Sequence, residues 1–538
     1  MKAILILMVL LVSSIKSNSQ VSQEWVTRYN DPKNINESAH AQVMDGVGNI
    51  YIAGGSNSGS LRDFLTIKFN SNGILQWASG YNGPGNENDY LNAIAVDSIG
   101  NVYVTGNSVG IGTGIDYATV KYNENGIQLW AVRYNGMGNL SDVPSSIAVD
   151  LEGNVYVTGL STESGTNHPI TTIKYNSNGI QQWIARYNGS GNYNDARKIV
   201  IDLSGNIYVT GYISSNGTTD ADFITIKYNP NGVEQWVTRY NGPANGIDVA
   251  KDIAIDLTGN VYISGISQRI DFSSEYITIK YNSNGIEQWV TRSNFSENSY
   301  CDVAAIALDN VGNVYVTGTN GLSDYATIKY NSNGVEQWVA EYIGTVKYFA
   351  DKPYGMVIDD LGSVYVTGYS SDSLSGLDYA TIKYNSNGVE QWVERYNGPD
   401  NLFDGARGIS IDSDRNIYVS GSSVRIVTQS DIVVIKYSQT TGIQNNSAEI
   451  PDQFSISQNF PNPFNPTTKF KFDLKKSGNV KLVVYDMIGK EVATLVNKNL
   501  SAGSYESNFD GSKLTSGIYF YRIETDNYSE VKKMTLLK

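Results

Sequence analysis

Eight tryptophans, Trp25, Trp77, Trp130, Trp183, Trp236, Trp289, Trp338 and Trp392, recur 49 to 54 residues apart, and the chain has no others. Each marks the same point of a repeated string. In the copy that begins at Trp130 it reads Trp130-Ala-Val-Arg-Tyr-Asn-Gly, Ser146-Ile-Ala-Val-Asp, Gly153-Asn-Val-Tyr-Val-Thr-Gly and Thr172-Ile-Lys-Tyr-Asn. A fixed period near fifty marks units too small to bury their own apolar faces, which must stack on their neighbours.

Each unit carries four β-type runs. A compact Ile-Ala-Val-Asp run (94–97) is followed by an Asp-x-x-Gly-Asn turn, as at Asp97 to Asn101. Val-Tyr-Val-Thr-Gly comes next, with β-branched and aromatic residues suited to a pleated surface. A variable loop leads to an alternating run, residues 325–330 in one copy, then to Asn-Ser-Asn-Gly, a strong hairpin signal. The Trp run ends the unit. Four antiparallel strands in sequence make a propeller blade. The Gly-Asn-Val-Tyr element occurs eight times, the last degenerate at Arg415, and so does the Ile-Lys-Tyr element. The array opens on a lone Trp run and closes at Lys436-Tyr437 without one. The expected fold is therefore all-β: an eight-bladed propeller over 20–438, closed by the N-terminal strand. Such closure removes the free edge of an open array. A linker over 439–459 follows, then a small C-terminal β-sandwich over 460–538.

Composition narrows the chemistry. With one cysteine, Cys301, no intrachain disulfide framework is possible. With two histidines, His40 and His168, in different units, histidine acid–base chemistry and multi-histidine zinc sites lack material. Residues 20–450 hold 25 Lys and Arg against 44 Asp and Glu, a net charge of −19. That excludes nucleic acid as an expected partner. Residues 451–538 carry a net charge of +3. Lys2, the apolar stretch Ala3 to Val12 and Ser17-Asn-Ser19 before Gln20 read as a signal peptide over 1–19. No transmembrane segment is expected in the mature chain.

The strings Ile-Ala-Val-Asp and Gly-Asn-Val-Tyr-Val-Thr-Gly resemble the bacterial β-propeller repeats known as SBBP repeats, over about residues 24–438. The resemblance implies the fold and carries no common catalytic signature. The C-terminal segment closely resembles the type A sorting domain of the type IX (Por) secretion system. It does so through Phe460-Pro-Asn-Pro-Phe-Asn-Pro, Val484-Tyr-Asp-Met-Ile-Gly-Lys-Glu-Val, Leu500-Ser-Ala-Gly-Ser-Tyr, Leu514-Thr-Ser-Gly-Ile-Tyr-Phe-Tyr and the terminal Lys532-Lys-Met-Thr-Leu-Leu-Lys. On that resemblance Pro461, Asn462, Pro463, Tyr485, Asp486, Gly489, Gly503, Gly517, Tyr519, Lys532 and Lys533 form the sorting signal. It implies export through the periplasm and outer membrane of a Gram-negative cell, with the secretion machinery as partner. In that family the domain is often cleaved and the cargo joined to surface polysaccharide.

Among candidate sites, the acids Glu37, Asp89, Asp142, Asp195, Asp248, Asp302, Asp351 and Asp404 stand seven or eight residues before the aspartate that ends each Ile-Ala-Val-Asp-like run. They suggest a ring at one mouth of a central channel, able to hold a hard cation such as calcium. The other reading has each acid accepting hydrogen bonds from backbone amides at its own turn. No other cofactor is called for. Gly106-Asn-Ser-Val-Gly110 matches the Gly-x-Ser-x-Gly pattern but lacks the strand-turn-helix context of a nucleophile elbow. Asp412-Ser-Asp-Arg-Asn416 lacks the glycine and distal glutamate of a calcium loop. The three tyrosine slots of each unit are expected to pack blade on blade, and Cys301 to be structural. No catalytic residue is assigned. The expectation is an exported, non-enzymatic binding or structural scaffold displayed at the cell surface or secreted. Its extracellular ligand, glycan or protein, would meet the loops 107–115, 160–169, 212–221, 267–274 and 369–377. The rival is a polysaccharide-active hydrolase or lyase using channel-mouth carboxylates, which needs two acids that break the repeat pattern.

Overall fold

The computed structural model describes residues 21–538 apart from 32, 34, 59–60, 165–166, 190–192, 215–219, 296–299, 347–350, 374–375, 440–442, 448–450, 512–513 and 527. The signal peptide expected over 1–19 lies outside the described residues. Two compact units divide the chain, one spanning Gln23–Ser438 and one that takes in Gln439–Lys538. Among the described residues there is no helix, and hence none that could cross a membrane.

Among the described residues, the repeat unit is a β-propeller array whose hydrogen-bond topology gives eight four-stranded sheets. Seven are simple meanders, such as Asp142–Val149, Val155–Ser161, Ile170–Tyr175 and Gln181–Tyr187. The eighth is built from Asp404–Ile411, Ile417–Arg425 and Gln429–Gln439, with Val21–Tyr29 as its fourth strand. The second and third strands of each sheet are buried on both faces, since neighbouring sheets cover them. In Val102–Gly110 even Tyr103 is fully buried between Val102 and Val104. This is why these strands read as unbroken β-branched and aromatic runs. The fourth strands show water one face and alternate.

Aspartate caps the first turn of each sheet. Asp97 Oδ1 accepts the amides of Ile99 (3.1 Å) and Asn101 (2.8 Å), and its Oδ2 accepts Asn101 Nδ2 and the Tyr103 hydroxyl at 3.0 Å. The tyrosine of Val-Tyr-Val is thus tied to the turn in front of it. Asp412 keeps these contacts although Arg415 replaces the glycine at φ 62°. The Arg415 guanidinium is held by Asp360 of the preceding sheet.

The tryptophans join sheet to sheet. Trp130 Nε1 donates to Ser177 O of the next sheet at 3.1 Å, and Trp77, Trp183, Trp236, Trp289 and Trp338 do the same. The Asn-Gly turn of the next sheet lies on the indole. A Cβ on Gly126 would stand 2.5 Å from Trp77, and its φ is +77°, so both space and backbone demand glycine. Trp25 of the eighth sheet stands against Gly73 of the first in the same way. Across the same pair, Gln42 Nε2 donates to Ser410 Oγ (2.9 Å) and Tyr418 O (3.0 Å).

Arginine makes a second link that the sequence reading did not assign. Arg395 of one fourth strand donates to Ser370 Oγ and pairs with Asp378 of its own sheet, then reaches the Tyr342 hydroxyl of the preceding sheet at 3.0 Å. Arg28, Arg133 and Arg292 pair likewise with Asp431, Asp116 and Glu275. The signal was legible as the Arg-Tyr pair that closes five of the eight Trp runs, together with an acid near the start of the third strand.

The C-terminal unit is two four-stranded antiparallel sheets. Phe470, Phe472 and Leu474 of one and Leu482, Tyr521 and Met534 of the other share one core, which makes it a sandwich. The span 439–459, expected as a linker, instead supplies the strands Ile443–Ser447 and Ser455–Ile456 to one sheet. Both are too short to show a period.

Candidate functional site

The eight acids singled out as a ring stand in the first strand of each sheet or one residue before it, and their register decides what they do. Eight residues before the turn aspartate stand Glu37, Asp89, Asp142, Asn194, Asp248, Cys301, Asp351 and Asp404, each buried. Asp195 and Asp302 therefore lie one residue off the row, and a one-residue step in a strand turns the side chain to the other face. The ring of eight acids is corrected to six, with an amide and a thiol in the remaining places.

Those six are bound by backbone rather than open to a cation. Asp142 accepts the amides of Gly136 (2.5 Å) and Thr162 (3.1 Å), and Asp351 those of Gly344 (2.7 Å) and Ser371 (2.8 Å). Asp89, Asp248 and Asp404 hold Gly83, Gly242 and Gly398. Each of these five aspartates thus anchors the glycine of the link arriving from the preceding sheet. Burial pushes the carboxyls of Asp142, Asp248 and Asp404 up, against the pull of these amides and nearby serines. Asn194 does the job with opposite polarity, donating Nδ2 to His168 O at 2.9 Å. Cys301 exchanges hydrogen bonds with Ser274 Oγ through its backbone. Among the described residues no group of three or more His, Cys, Asp or Glu is arranged to hold a metal.

Glu37 fits its slot worst. It is fully buried, its Oε1 accepts only the Asp31 amide at 3.3 Å, and Oε2 has no partner among the described residues. Burial pushes its pKa up to about 7. The folded chain keeps this proton to near neutrality, while an unfolded chain loses it at about 4.3. Stability must therefore fall as pH rises between those values and level off above them. Glu37→Gln is expected to stabilise the protein by about 2–3 kcal/mol at pH 8 and to change little at pH 4. Thermal melts at the two pH values check this.

The exposed side of the same strands is where the units differ. Every first strand has a β-bulge, and the bulged residue is His40, Asn92, Ser145, Arg197, Lys251, Ala304, Tyr354 or Arg407. A bulge re-aims one side chain without breaking the sheet. His40 Nδ1 donates to Leu91 O of the next sheet at 2.9 Å, which leaves Nε2 to accept from Arg62 Nη2 at 2.7 Å. Asn92 donates to Pro144 O in the same manner. Lys251 and Lys352 share Asp302 at 2.9 and 3.4 Å, and Asp195 pairs with Arg197 at 3.1 Å. Arg407 lies over the Tyr354 ring, 3.9 Å from its centroid. Where acids were expected, the first strands thus show water a mixed set rich in cations and tyrosine.

The remaining sequence candidates fall into structural places. Ser108 is fully buried in the strand Val102–Gly110 and accepts from Arg133, so Gly106-x-Ser108-x-Gly110 is no nucleophile elbow. His168 meets Thr162 Oγ1 at 3.0 Å and packs on Tyr193. Three of the five loops are shorter than expected, because the hairpin strands run on. Val102–Gly110 is followed by Gly114–Tyr122, Val261–Gln268 by Ser274–Tyr281, and Val364–Asp372 by Gly376–Tyr384. The loops 160–169 and 212–221 fall partly outside the described residues.

In the C-terminal sandwich, Pro461 O accepts from Asn459 Nδ2 and Thr468 Oγ1, and Asn462 Oδ1 accepts the Thr535 amide. Pro463 leads into Phe464, which is buried in the core. Tyr485 receives Arg522, while Asp486 caps a turn closed by Gly489 at φ 79°. Gly503 and Gly517 each open a strand, and Tyr519 is buried with its hydroxyl on Thr515 O. Lys532 pairs with Glu530, and Lys533 is exposed on the edge strand Tyr528–Leu536.

Comparison with known proteins identifies both units. Residues 132–165, 182–218 and 337–374 match the β-propeller repeat family SBBP. Residues 458–536 match the secretion system C-terminal sorting domain. The chain thus carries β-propeller repeats of this family. It also carries a C-terminal domain that sends it through the type IX secretion system to the cell surface or extracellular space. A curated relative, an uncharacterized WD repeat-containing protein of Acanthamoeba polyphaga mimivirus, is 25% identical over 393 residues, covering 56% of this chain and 26% of its own length. The chain thus spans about a quarter of that relative. Among solved structures, PorZ, a surface component of the type IX secretion system of Porphyromonas gingivalis, is 13% identical over 92% of this chain and 74% of its own, with a TM-score of 0.33. A polysaccharide lyase of family PL25 is 12% identical over 63% of this chain and 90% of its own, with a TM-score of 0.40.

Proposed function

We propose that the sheets of the repeat unit close into one eight-bladed propeller, and that the exported propeller is a non-enzymatic binding scaffold. Closure is supported by the contacts between the first and eighth sheets, through Trp25 on Gly73 and Gln42 on Ser410 and Tyr418. The Trp25–Gly73 contact repeats the tryptophan–glycine contact that joins each successive pair from the first sheet to the seventh. The scaffold reading rests on one observation. The carboxylates repeated from sheet to sheet are spent on backbone amides and arginines, while residues that vary between units are gathered on the exposed side of the first strands. Binding needs such a displayed, individual surface on a rigid frame. The sorting domain engages the secretion machinery, for which exposed Lys533 is available.

One observation favours the rival enzyme. Glu341 stands where Arg395 and its equivalents stand in other sheets, on the strand paired with the one that follows Asp324, and accepts Asn320 Nδ2 at 3.0 Å. This acid breaks the pattern. The full exported chain on a glycan array, with the supernatant assayed for new reducing ends or unsaturated sugars, separates the readings. Saturable binding without product is expected; turnover would replace the scaffold by the enzyme.

A further inference from the structure

The repeat unit is acidic, yet the exposed side of its first strands carries Arg197, Lys198, Lys251, Lys352 and Arg407. Two guanidinium groups, Arg407 on that surface and Arg62 on the third strand Leu61–Phe69 beside it, have no carboxylate partner among the described residues. Arg407 is stacked on Tyr354, which leaves the edge of its fork free. Arg62 reaches Ser38 and His40, while its Nε is buried with no hydrogen-bond partner. Its guanidinium lies 5.5 Å from the Tyr90 ring, whose side chain is 43% exposed. The seven positions equivalent to Arg62 are Ile115, His168, Ala221, Ser274, Ser323, Leu377 and Ser430, so this arginine is particular to the first sheet. His40 lies near both groups. Its Nε2 accepts from Arg62, and the charges of Arg62 and Arg407, after burial, both push its pKa down. An unpaired, half-buried guanidinium is costly unless an anion compensates it, and its planar fork matches a carboxylate or sulfate.

We infer that Arg62 and Arg407, with Tyr90 and Tyr354 beside them, form a binding site for an anionic saccharide, carboxylated or sulfated. The inference deepens the scaffold reading and rests on it. A saccharide suits the site because tyrosine faces take its apolar sugar faces while separated anionic groups reach the two forks. Nucleic acid does not suit it, since the rest of the acidic unit would repel a continuous phosphate backbone. Lys251 and Lys352 extend the positive arc on either side of Asp302.

The test uses the full exported chain with polygalacturonate, dextran sulfate and neutral dextran, titrated by calorimetry at two salt concentrations. Salt-sensitive, saturable binding to at least one polyanion and none to dextran is expected, and the preferred polyanion tells carboxylate from sulfate. Arg62→Gln and Arg407→Gln should each weaken it about tenfold. Asp302→Ala, which removes a competing carboxylate, should tighten it. Arg415→Gln, which breaks a pair on a turn, should not change it, and matching melting temperatures confirm that the variants fold. Arg407→Lys, which keeps charge and loses the fork, should fall in between. No binding to either polyanion overturns the site. Binding that survives both arginine substitutions also overturns it and leaves the scaffold intact. Release of shortened sugar refutes the scaffold and leaves the arginines assigned.

Discussion

Deleting residues 20–29 is expected to abolish cooperative folding of the repeat unit. The strand Val21–Tyr29 is the sole partner of one edge of Gln429–Gln439, and its loss exposes that edge to other chains. Trp25 leaves Tyr418, whose ring centroid lies 6.0 Å away, and Tyr29 leaves the core packed around Leu65 and Val434. Removing a packed tryptophan costs about 3–5 kcal/mol. Arg28 would also leave Asp431, which is 1% exposed and bound at 2.8 Å, without its cation. Stranding such a charge costs about 3–5 kcal/mol more. The sum rivals the whole stability of a typical domain, about 5–15 kcal/mol. Loss of the sigmoidal melt, with aggregation, is the expected readout. A truncated chain melting within a few degrees of the intact one would refute closure. Arg28→Ala alone should reproduce about half of the effect, and Arg28→Ala/Asp431→Ala should recover part of it, because the second change removes the stranded charge.

Asp142→Ala should destabilise the protein by about 2–5 kcal/mol, because it leaves the buried amides of Gly136 and Thr162 without an acceptor. Asp302→Ala should cost less than about 1 kcal/mol, since this carboxylate is 35% exposed and bridges two lysines. In sequence the two acids look equivalent. Chemical denaturation of both variants therefore tests the register directly, and equal losses would sink the distinction between buried and exposed rows. Asparagine is no universal substitute at this place. It serves at Asn194 because His168 O is there to accept its amide.

The repeats made the strands, the turns and the stacking residues readable without coordinates. Trp77, Tyr103, Asp97 and Gly126 owe their roles to short-range patterns: a β-run, an aspartate two and four residues before the amides it caps, and a glycine at positive φ. The sorting domain was readable for another reason, several strings in fixed order. The candidate site was misread by one residue at Asp195 and Asp302. Spacing of seven and eight residues looks alike in a list but points to opposite faces of a strand, and the bulge that follows shifts the period again.

Local pairing and turn chemistry act over a few residues, so the order of residues alone determined that this chain is a repeated four-stranded sheet ending in a sorting sandwich. Which charges meet was decided only in three dimensions. Arg62, His40 and Arg407 are separated by tens to hundreds of residues and come together because the first and eighth sheets pack on each other. The buried acids are silenced by amides of their own sheet and of the link arriving from the preceding one. Electrostatics depends on distance and burial, and neither is written along the chain.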